Sequence, residues 1–248
     1  MSEILGIDIG GSGAKGAVID VRTGEMITER YKVPTPEPVL PARLGEIVGE
    51  IVSHHNWSGP VGVAMPAIVR NGVVASAANI HHDWMGVDGV SLFEHHVLDR
   101  VVLLNDADAA AIAESRLGVG EGVAGLMALL TLGTGIGSGL VLDGKLLPNS
   151  ELGHLEFHGD DAERYAAASA REREALPWEE WTARVNEFLA HIVFIFSPQL
   201  IVLGGGIAKE GESQEWFPLI RVEHTRVALT EFRNNAGIVG AALAAADT

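Results

Sequence analysis

Three glycine-rich segments, each placed directly after an apolar run, carry the clearest chemistry in this chain. The first is Gly10-Gly11-Ser12-Gly13, which follows Asp8. The second is Gly133-Thr134-Gly135-Ile136-Gly137, preceded by Thr131, and the third is Gly204-Gly205-Gly206. Because glycine has no Cβ, backbone N–H groups in such turns can approach an anionic group closely. The ordered set, rather than any one member, favours a protein that holds a chain of phosphates.

The same glycines also have a purely structural interpretation, because hairpin turns require glycine as well. None of the three segments is a nucleotide-binding loop of the type that ends in Gly-Lys-Ser or Gly-Lys-Thr, since no such pair follows. The first two also differ from a dinucleotide-binding fingerprint, because each opens a hairpin and not a helix.

The spacing of apolar residues predicts an α/β protein. Strands are predicted at residues 3–9, 14–21, 25–32, 59–65, 101–104, 126–132, 138–142 and 200–203. Helices are predicted at residues 42–55, 106–117, 162–173, 178–196 and 236–245. The order strand, glycine turn, strand occurs in both halves, so we interpret the chain as an internal duplication of this unit.

Composition restricts the class of protein and its partners. The chain has 248 residues, of which 47% are hydrophobic, so it can bury the core of one large domain or two small ones. It has no cysteine, which excludes disulfides and thiolate metal sites. The formal charge of -16 disfavours nucleic acid as a partner. No apolar segment reaches the roughly 18–20 residues of a membrane helix, and no signal peptide is recognisable, so we expect a cytoplasmic protein without a membrane partner.

Several motifs, in order along the chain, resemble one family. The segment Asn105-Asp106-Ala107-Asp108 and the three glycine segments resemble motifs of proteins with the actin-like fold. Sugar kinases, actin and the heat-shock chaperone ATPases share this fold. Glu151-Leu152-Gly153-His154 resembles the sugar-binding motif of the ROK kinases. Arg233-Asn234-Asn235-Ala236-Gly237 narrows the resemblance to the actinobacterial polyphosphate glucokinases. Most ROK kinases carry a cysteine-rich zinc loop, and the lack of cysteine agrees with the zinc-less branch.

The resemblance implies an α/β, actin-like ATPase fold with two lobes, each built on a mixed sheet. We expect an N-terminal lobe of residues 1–117 and a C-terminal lobe of residues 118–248. The terminal helix, within residues 236–247, is expected to cross back to the N-terminal lobe. One phosphate hairpin in each lobe would then hold a phosphate chain in an inter-lobe cleft.

The resemblance also implies an activity, the transfer of a phosphoryl group from inorganic polyphosphate or ATP to the 6-hydroxyl of glucose. Asp106 is implied as the general base, and Asn105 and Asn79 as ligands of sugar hydroxyls. Glu151 and His154 are implied to bind two adjacent sugar hydroxyls. From the local sequence alone, Asn105 or Asp106 could equally be the N-cap of the following helix, since both residue types cap helices well.

The glycine segments and Thr131 are implied to bind the donor phosphates. Asp8 is expected to hold Mg²⁺ through water, because Mg²⁺ keeps part of its hydration shell beside substrate phosphates. Lys15 follows the first segment closely, and the sequence leaves open whether it contacts phosphate or only borders the strand. Glu163 is a weak candidate for the sugar site, and a solvated helix acid is the preferred interpretation.

A long polyphosphate approaching a chain of formal charge -16 needs a local basic track, because physiological salt limits useful attraction to about 8–10 Å. The candidates are Lys15, Lys145, Arg164, Arg171, Arg173 and Arg184. Glu172 and Glu174 lie among the arginines and dilute their charge. We therefore expect weak, salt-sensitive binding of long polyphosphate.

Three alternatives stay open at this point. A sugar-responsive ROK regulator would need a DNA-binding segment ahead of the kinase-like core, whereas the first predicted strand begins at Glu3. An actin-like assembly protein would not need the Glu-x-Gly-His motif. An ATP-only kinase for glucose or mannose is the nearest alternative. The sequence is compatible with a homodimer but does not determine the oligomeric state.

Overall fold

The chain divides into two compact units. The computed structural model describes residues 2–35, 38–76, 80–209 and 211–247. The first unit contains Met1–Ala113 and Asn235–Thr248, and the second contains Glu114–Asn234. The C-terminal segment therefore belongs to the same unit as the N-terminal strands. Within the described residues, no helix is both long enough and apolar enough to cross a membrane.

Strands and helices alternate along both units. The strands are β1 (Glu3–Gly10), β2 (Gly13–Asp20), β3 (Tyr31–Val33), β4 (Val61–Met65), β5 (Val69–Arg70), β6 (Val73–Val74), β7 (Val101–Asn105), β8 (Leu126–Leu132), β9 (Ile136–Leu142), β10 (Lys145–Leu147), β11 (Glu156–Phe157), β12 (Asp160–Asp161), β13 (Leu200–Gly204) and β14 (Arg226–Leu229). The α-helices are α1 (Pro41–His54), α2 (Gly89–Val97), α3 (Asp106–Leu117), α4 (Ala162–Ala166), α5 (Ala168–Glu174), α6 (Trp178–Phe196), α7 (Glu212–Trp216) and α8 (Ala236–Ala246).

The main sheets of the two units have the same topology. In the first unit the strand order is β3-β2-β1-β4-β7, and in the second it is β10-β9-β8-β13-β14. The first three strands of each set pair antiparallel, and the later two join the sheet in parallel. The predicted duplication is confirmed at this level, and each sheet is mixed.

Helical spacing of apolar residues builds the core of the first unit, as α1 illustrates. Pro41 opens this helix, where its missing N–H has no helical partner to lose. Leu44, Ile47, Val48 and Ile51 then fall on one face of the helix, and all four are buried. They pack in one apolar cluster with side chains of β1 and β4.

The third strand begins later than the sequence predicts. Residues 25–32 were expected to form it, whereas β3 covers only Tyr31–Val33. Before it, the N–H of Ile27 donates to the carbonyl oxygen of Val18 at 2.8 Å. The N–H of Val18 then donates to the side-chain hydroxyl of Thr28 at 3.0 Å. Because a hydroxyl replaces a backbone partner here, the regular ladder is interrupted.

The prediction of one continuous helix over residues 162–173 is wrong. The chain forms α4 and α5, separated by Ala167 in an extended conformation with ψ of 161°. The indole N–H of Trp181 donates to the carbonyl oxygens of Ala166 at 3.2 Å and Ala167 at 3.1 Å. The N–H of Ser169 donates to the carbonyl oxygen of Gly133 at 3.1 Å. Partners from outside the helix therefore replace the helical hydrogen bonds at the break.

A fully buried carboxylate joins the two ends of the second unit. Glu114 is 0% exposed and accepts hydrogen bonds from the N–H of Phe232 at 3.0 Å and of Val119 at 3.3 Å. The hydroxyl of Thr230 also donates to it. A buried carboxylate is stable only with such donors, so Glu114 fastens the segment after β14 to the end of α3.

Helix α8 lies against the sheet of the first unit with almost no space between the two backbones. It contacts β1, β4, β2 and β7. A Cβ on Gly6 would overlap the carbonyl oxygen of Ile238, and a Cβ on Gly62 would overlap that of Ala241. On the helix, a Cβ on Gly240 would overlap the carbonyl oxygen of Ala109. Only glycine at these positions permits the observed approach.

We expect Gly62→Ala to destabilise the protein by about 1–3 kcal/mol, the range for an atom forced into a packed core. The added methyl group meets backbone, which cannot move as a flexible side chain does. Urea denaturation followed by circular dichroism measures the effect. Gly133→Ala is the matched control, because its Cβ would enter open space. Equal midpoints for the two variants would contradict this account of the α8 contact.

Candidate active site

The first glycine segment forms a two-residue turn between β1 and β2. Gly10 and Gly13 are the last cross-strand pair, so Gly11 and Ser12 make the turn. The hydroxyl of Thr35 donates to the carbonyl oxygen of Gly11 at 3.2 Å and ties the turn to the chain after β3. Gly11 and Ser12 are exposed, so the turn is anchored and open to a ligand.

Asp8 is held between a lysine and the C-terminal helix. It lies in β1 directly opposite Lys15 of β2, and Lys15 Nζ donates to Asp8 Oδ2 at 3.3 Å. The first turn of α8 lies against the same carboxylate, since a Cβ on Gly237 would come within 2.9 Å of Asp8 Cγ. Glycine at this position therefore keeps room for the carboxylate.

Asn105, the last residue of β7, is the N-cap of α3. Its Oδ1 accepts hydrogen bonds from the N–H of Ala107 at 2.8 Å and of Asp108 at 3.1 Å. Its Nδ2 donates to the carbonyl oxygen of Ala67 at 3.3 Å, and the side chain is buried. Asp106 Oδ1 also accepts from the N–H of Ala107, at 2.8 Å. Because Asn105 caps the helix, Asp106 is not required as its cap.

The second and third glycine segments lie side by side in the second unit. The second joins β8 to β9, and the third follows β13, which pairs in parallel with β8. Gly205 has a φ of +88°, and a Cβ there would come within 2.8 Å of the backbone nitrogen of Leu132. The hydroxyl of Ser169 donates to the carbonyl oxygen of Thr134 at 2.6 Å and fixes the second segment to α5.

The Glu-x-Gly-His segment is built onto the start of β9, next to the second glycine segment. A Cβ on Gly153 would overlap the carbonyl oxygen of Ile136, so glycine is required for this approach. The buried Ser138 donates through Oγ to the carbonyl oxygen of Ser150 at 2.8 Å and accepts from the N–H of Leu152 at 2.9 Å. The Glu-x-Gly-His segment and the second glycine segment therefore share one strand.

Glu151 and Glu163 are near one another beside this strand. Burial raises the pKa of the Glu151 carboxyl above its ordinary value, while His154 lowers it and Glu163 raises it further. Glu163 is half-buried, its Oε2 accepts from the N–H of Ile136 at 3.2 Å, and it occupies the space beside Gly135. The preferred interpretation of Glu163 as a solvated helix acid is therefore wrong, because its carboxylate is partly buried and accepts a hydrogen bond from the backbone of β9.

The sequence-predicted site residues are divided between the two units. Asp8, Asn105 and Asp106 belong to the first unit, while Glu151 and His154 belong to the second. Asn79, the other predicted sugar ligand, lies outside the described residues. Their roles as ligands and base stay predictions at this point.

Three of the arginines predicted as a polyphosphate track have other contacts. Arg184 and Arg173 both donate to the Glu174 carboxylate, at 2.6 and 2.7 Å, and these hydrogen bonds lower the pKa of Glu174. Arg171 lies over the indole of Trp178, with Cζ 3.5 Å from the ring centroid. Glu174 therefore balances one of the three arginine charges, and the exposed Glu172 lies among them on α5.

Lys145 is distant from the second glycine segment, although the two are close in sequence. It lies in β10 and pairs with Leu142, at the opposite end of β9 from Ile136. A strand rises about 3.3 Å per residue, so the two ends of β9 are about 20 Å apart. Arg164 Nε lies 3.3 Å from Asp160 Oδ1 and is also paired.

Lys32 is a basic residue that the sequence did not single out. It lies directly opposite Lys15 in the β2–β3 pair, and its Nζ donates to Ser12 Oγ at 3.4 Å. The side chain crosses Gly13, where a Cβ would come within 2.6 Å of Lys32 Cε. No carboxylate of the described residues lies within 4.0 Å of its ammonium group. The pairing of β3 with β2 brings Lys32 to the turn. The sequence did not reveal this contact, because it predicted the third strand at residues 25–32, whereas β3 covers Tyr31–Val33.

Comparison with known proteins decides the family. Residues 4–168 match the profile of the ROK family. The chain belongs to the ROK family. It is 42% identical over 246 residues to the polyphosphate glucokinase of Mycobacterium tuberculosis, covering 98% of this chain and 92% of that protein.

Two solved structures resemble this ROK protein along its whole length. The inorganic polyphosphate/ATP-glucomannokinase from Arthrobacter sp. strain KM has a TM-score of 0.93 and 44% identity, with 99% of each chain covered. A ROK family glucokinase from Streptomyces griseus, solved with glucose and AMPPNP, has a TM-score of 0.81 and 25% identity, covering 99% of this chain and 100% of that chain. The predicted α/β, actin-like fold with mixed sheets is confirmed.

We expect Glu151→Gln to stabilise the folded protein near neutral pH. Burial raises the folded-state pKa of this carboxyl, so ionisation above its ordinary value of 4.5 favours the unfolded state. The amide removes that penalty. The gain in thermal midpoint should be present at about pH 7 and disappear below about pH 4.5, where both states are protonated. Glu172→Gln, at an exposed site on α5, is the control. A gain of the same size at every pH would refute the electrostatic origin.

Proposed function

We propose that this ROK-family protein is a glucokinase that transfers a phosphoryl group from inorganic polyphosphate, and from ATP, to the 6-hydroxyl of glucose. The observation that carries the proposal is the 42% identity to the Mycobacterium tuberculosis polyphosphate glucokinase over 98% of this chain. The local structure supports it, because the Glu-x-Gly-His segment and a glycine loop are joined through one strand. A sugar acceptor and a phosphate donor need such neighbouring sites.

Asp106 is the general base of the proposed reaction. Its carboxylate takes the proton of the sugar 6-hydroxyl while that oxygen attacks the terminal phosphorus of the donor. The bond from this phosphorus to the bridging oxygen breaks, and the leaving group is polyphosphate shortened by one unit, or ADP. The capping of α3 by Asn105 supports this role, since it leaves the helix start intact without Asp106.

The sugar is held by polar side chains around the Glu-x-Gly-His segment. Glu151 accepts hydrogen bonds from sugar hydroxyls, and His154 binds the neighbouring hydroxyl. Asn105 and Asn79 are the proposed ligands from the first unit. Glu163 joins this set, because its carboxylate and the imidazole of His154 place polar atoms within 4.8 Å of one another. Several directed hydrogen bonds fix the acceptor so that its 6-hydroxyl can attack in line.

The donor phosphates are bound by the glycine segments, with Thr131 and Lys15 at their edges. Phosphoryl transfer from polyphosphate or ATP implies a divalent metal ion, and we propose Mg²⁺ held by Asp8 through water. The half-buried carboxylate of Asp8, in the strand that leads to the exposed glycine turn, fits such an ion because Mg²⁺ prefers oxygen ligands. When bound, the ion would neutralise charge on the donor phosphates.

Lys32 extends the donor site at the first glycine turn. Its ammonium group reaches Ser12 of that turn, whereas Arg173 and Arg184 are paired with Glu174. The first glycine turn therefore offers a polyphosphate chain a positive charge that has no carboxylate partner among the described residues. This arrangement supports polyphosphate use by a chain whose formal charge is -16.

We expect Asp106→Asn to lower kcat by about 10²–10⁴, the usual contribution of a positioned general base. The variant should keep its fold and bind glucose almost as well as the wild type, because the amide preserves size and polarity. Steady-state kinetics and calorimetric titration with glucose measure the two effects. Asp83→Asn, an exposed carboxyl, is the control. Turnover near the wild-type rate would show that Asp106 is not the general base.

Initial rates of glucose 6-phosphate formation with ATP and with long-chain polyphosphate, at low and high salt, test the proposed donor. We expect turnover with both donors at low salt and a stronger loss with polyphosphate at high salt, because salt screens the few accessible cations. Lys32→Ala should raise the KM for polyphosphate roughly 3- to 10-fold and leave the KM for glucose unchanged.

Lys145→Ala is the matched control for this assay, since it removes the same charge at the far end of β9. Equal effects of the two lysine variants would mean that only net charge matters and not the position of Lys32. Turnover with ATP but none with polyphosphate at low salt would identify an ATP-only sugar kinase instead.

A further inference from the structure

A short hairpin places a carboxylate on the side of His154. After the Glu-x-Gly-His segment, β11 and β12 pair antiparallel, with Glu156 opposite Asp161. The N–H of Ala162 donates to the carbonyl oxygen of Leu155 at 2.9 Å and closes the hairpin. As a result, Asp161 Oδ2 lies 3.1 Å from His154 Nδ1. The hairpin thus brings Asp161, seven residues later in the chain, into contact with His154.

Asp161 gives up a favourable local hydrogen bond to make this contact. It is the N-cap residue of α4, and aspartate is among the best N-cap residues. Its carboxylate nevertheless makes no capping hydrogen bond, and it accepts from His154 instead. An exposed pair of this kind contributes little to stability, so stability alone does not account for the arrangement.

The contact determines which nitrogen of the imidazole carries the proton. When Nδ1 donates to a carboxylate, the neutral ring has its lone pair on Nε2, and the ring cannot rotate freely. A histidine in this state presents Nε2 as a hydrogen-bond acceptor in a fixed direction. Glu151, two residues before the motif glycine, presents a second acceptor from the same turn.

We propose that Asp161 is the positioning residue of the sugar site: it holds His154 with Nδ1 protonated and directs Nε2 towards a sugar hydroxyl. The proposal rests on the function proposed above for His154. Asp161 itself does not touch the sugar. Its effect on glucose binding passes through the imidazole, so it should disappear when the imidazole is removed.

The variants Asp161→Ala, Asp161→Asn, His154→Ala and the double variant Asp161→Ala/His154→Ala test this proposal by calorimetric titration with glucose. Asp161→Ala should weaken glucose binding about 3- to 10-fold, because the ring loses its orientation but not its nitrogen. Asp161→Asn should restore most of the affinity, since the amide oxygen still accepts from Nδ1. The double variant should bind glucose as weakly as His154→Ala alone.

Two further readouts separate positioning from a general structural effect. The ¹⁵N spectrum of the His154 ring, assigned by its loss in His154→Ala, should show protonated Nδ1 in the wild type and in Asp161→Asn but a changed proportion in Asp161→Ala. The KM for ATP should be the same in all variants. Asp160→Asn, on the same hairpin, is the matched control: it removes a carboxylate charge but keeps the oxygen that accepts from the N–H of Asp161, and it should leave glucose affinity unchanged.

Three results would overturn the proposal. The first is unchanged glucose affinity in Asp161→Ala when His154→Ala weakens binding. The second is additive losses in the double variant. The third is loss of glucose affinity on chelation with EDTA, because His154, Asp161 and Glu163 place ligand atoms within 4.8 Å of one another and a bound metal could orient the ring instead. If His154→Ala itself leaves glucose affinity unchanged, the proposed sugar site fails together with this inference.

Discussion

The first unit depends on the direct contact between the backbone of α8 and the sheet beneath it. Gly6 and Gly62 in the strands have no Cβ, and any side chain there would meet a carbonyl oxygen of α8. Gly240 of α8 approaches the carbonyl oxygen of Ala109 in α3 in the same way. This close approach fixes the helix along its axis as well as against the sheet. It also places Gly237 directly on the carboxylate of Asp8. The position of a proposed metal ligand is therefore set by the same packing that stabilises the unit.

In the second unit, glycines also permit close backbone contacts, and here the contacts position the candidate site segments. Gly153 allows the Glu-x-Gly-His segment to contact the first residue of β9, and Gly205 allows the third glycine segment to contact Leu132 at the end of β8. Side chains then reinforce these contacts, as Ser138 does for the turn before Leu152. The proposed sugar-binding and phosphate-binding segments are consequently attached to one hairpin, and a displacement of that hairpin would move both together.

The sequence predicted those parts of the fold whose signals are local. Helices α3 and α6 and strand β8 begin and end at the predicted residues, because apolar spacing and end signals agree there. The break between α4 and α5 could not be predicted, since the indole of Trp181, from another helix, imposes it. Lys145 was misplaced because a short distance along a hairpin can span a whole strand. Lys32 was missed because its neighbourhood depends on strand register, which one sequence does not determine.

The return of residues 235–248 to the first unit has a consequence for how the protein is made. Ribosomes deliver the chain from the N-terminus, and domains usually fold in that order as they emerge. Here the second unit is one continuous stretch of chain and has all of its residues available while α8 is still being synthesised. The strands of the first unit must therefore wait for a helix that is made after the second unit, and until then that helix does not cover Gly6 and Gly62. The unit whose strands are translated first is thus completed only after the whole of the second unit has been made.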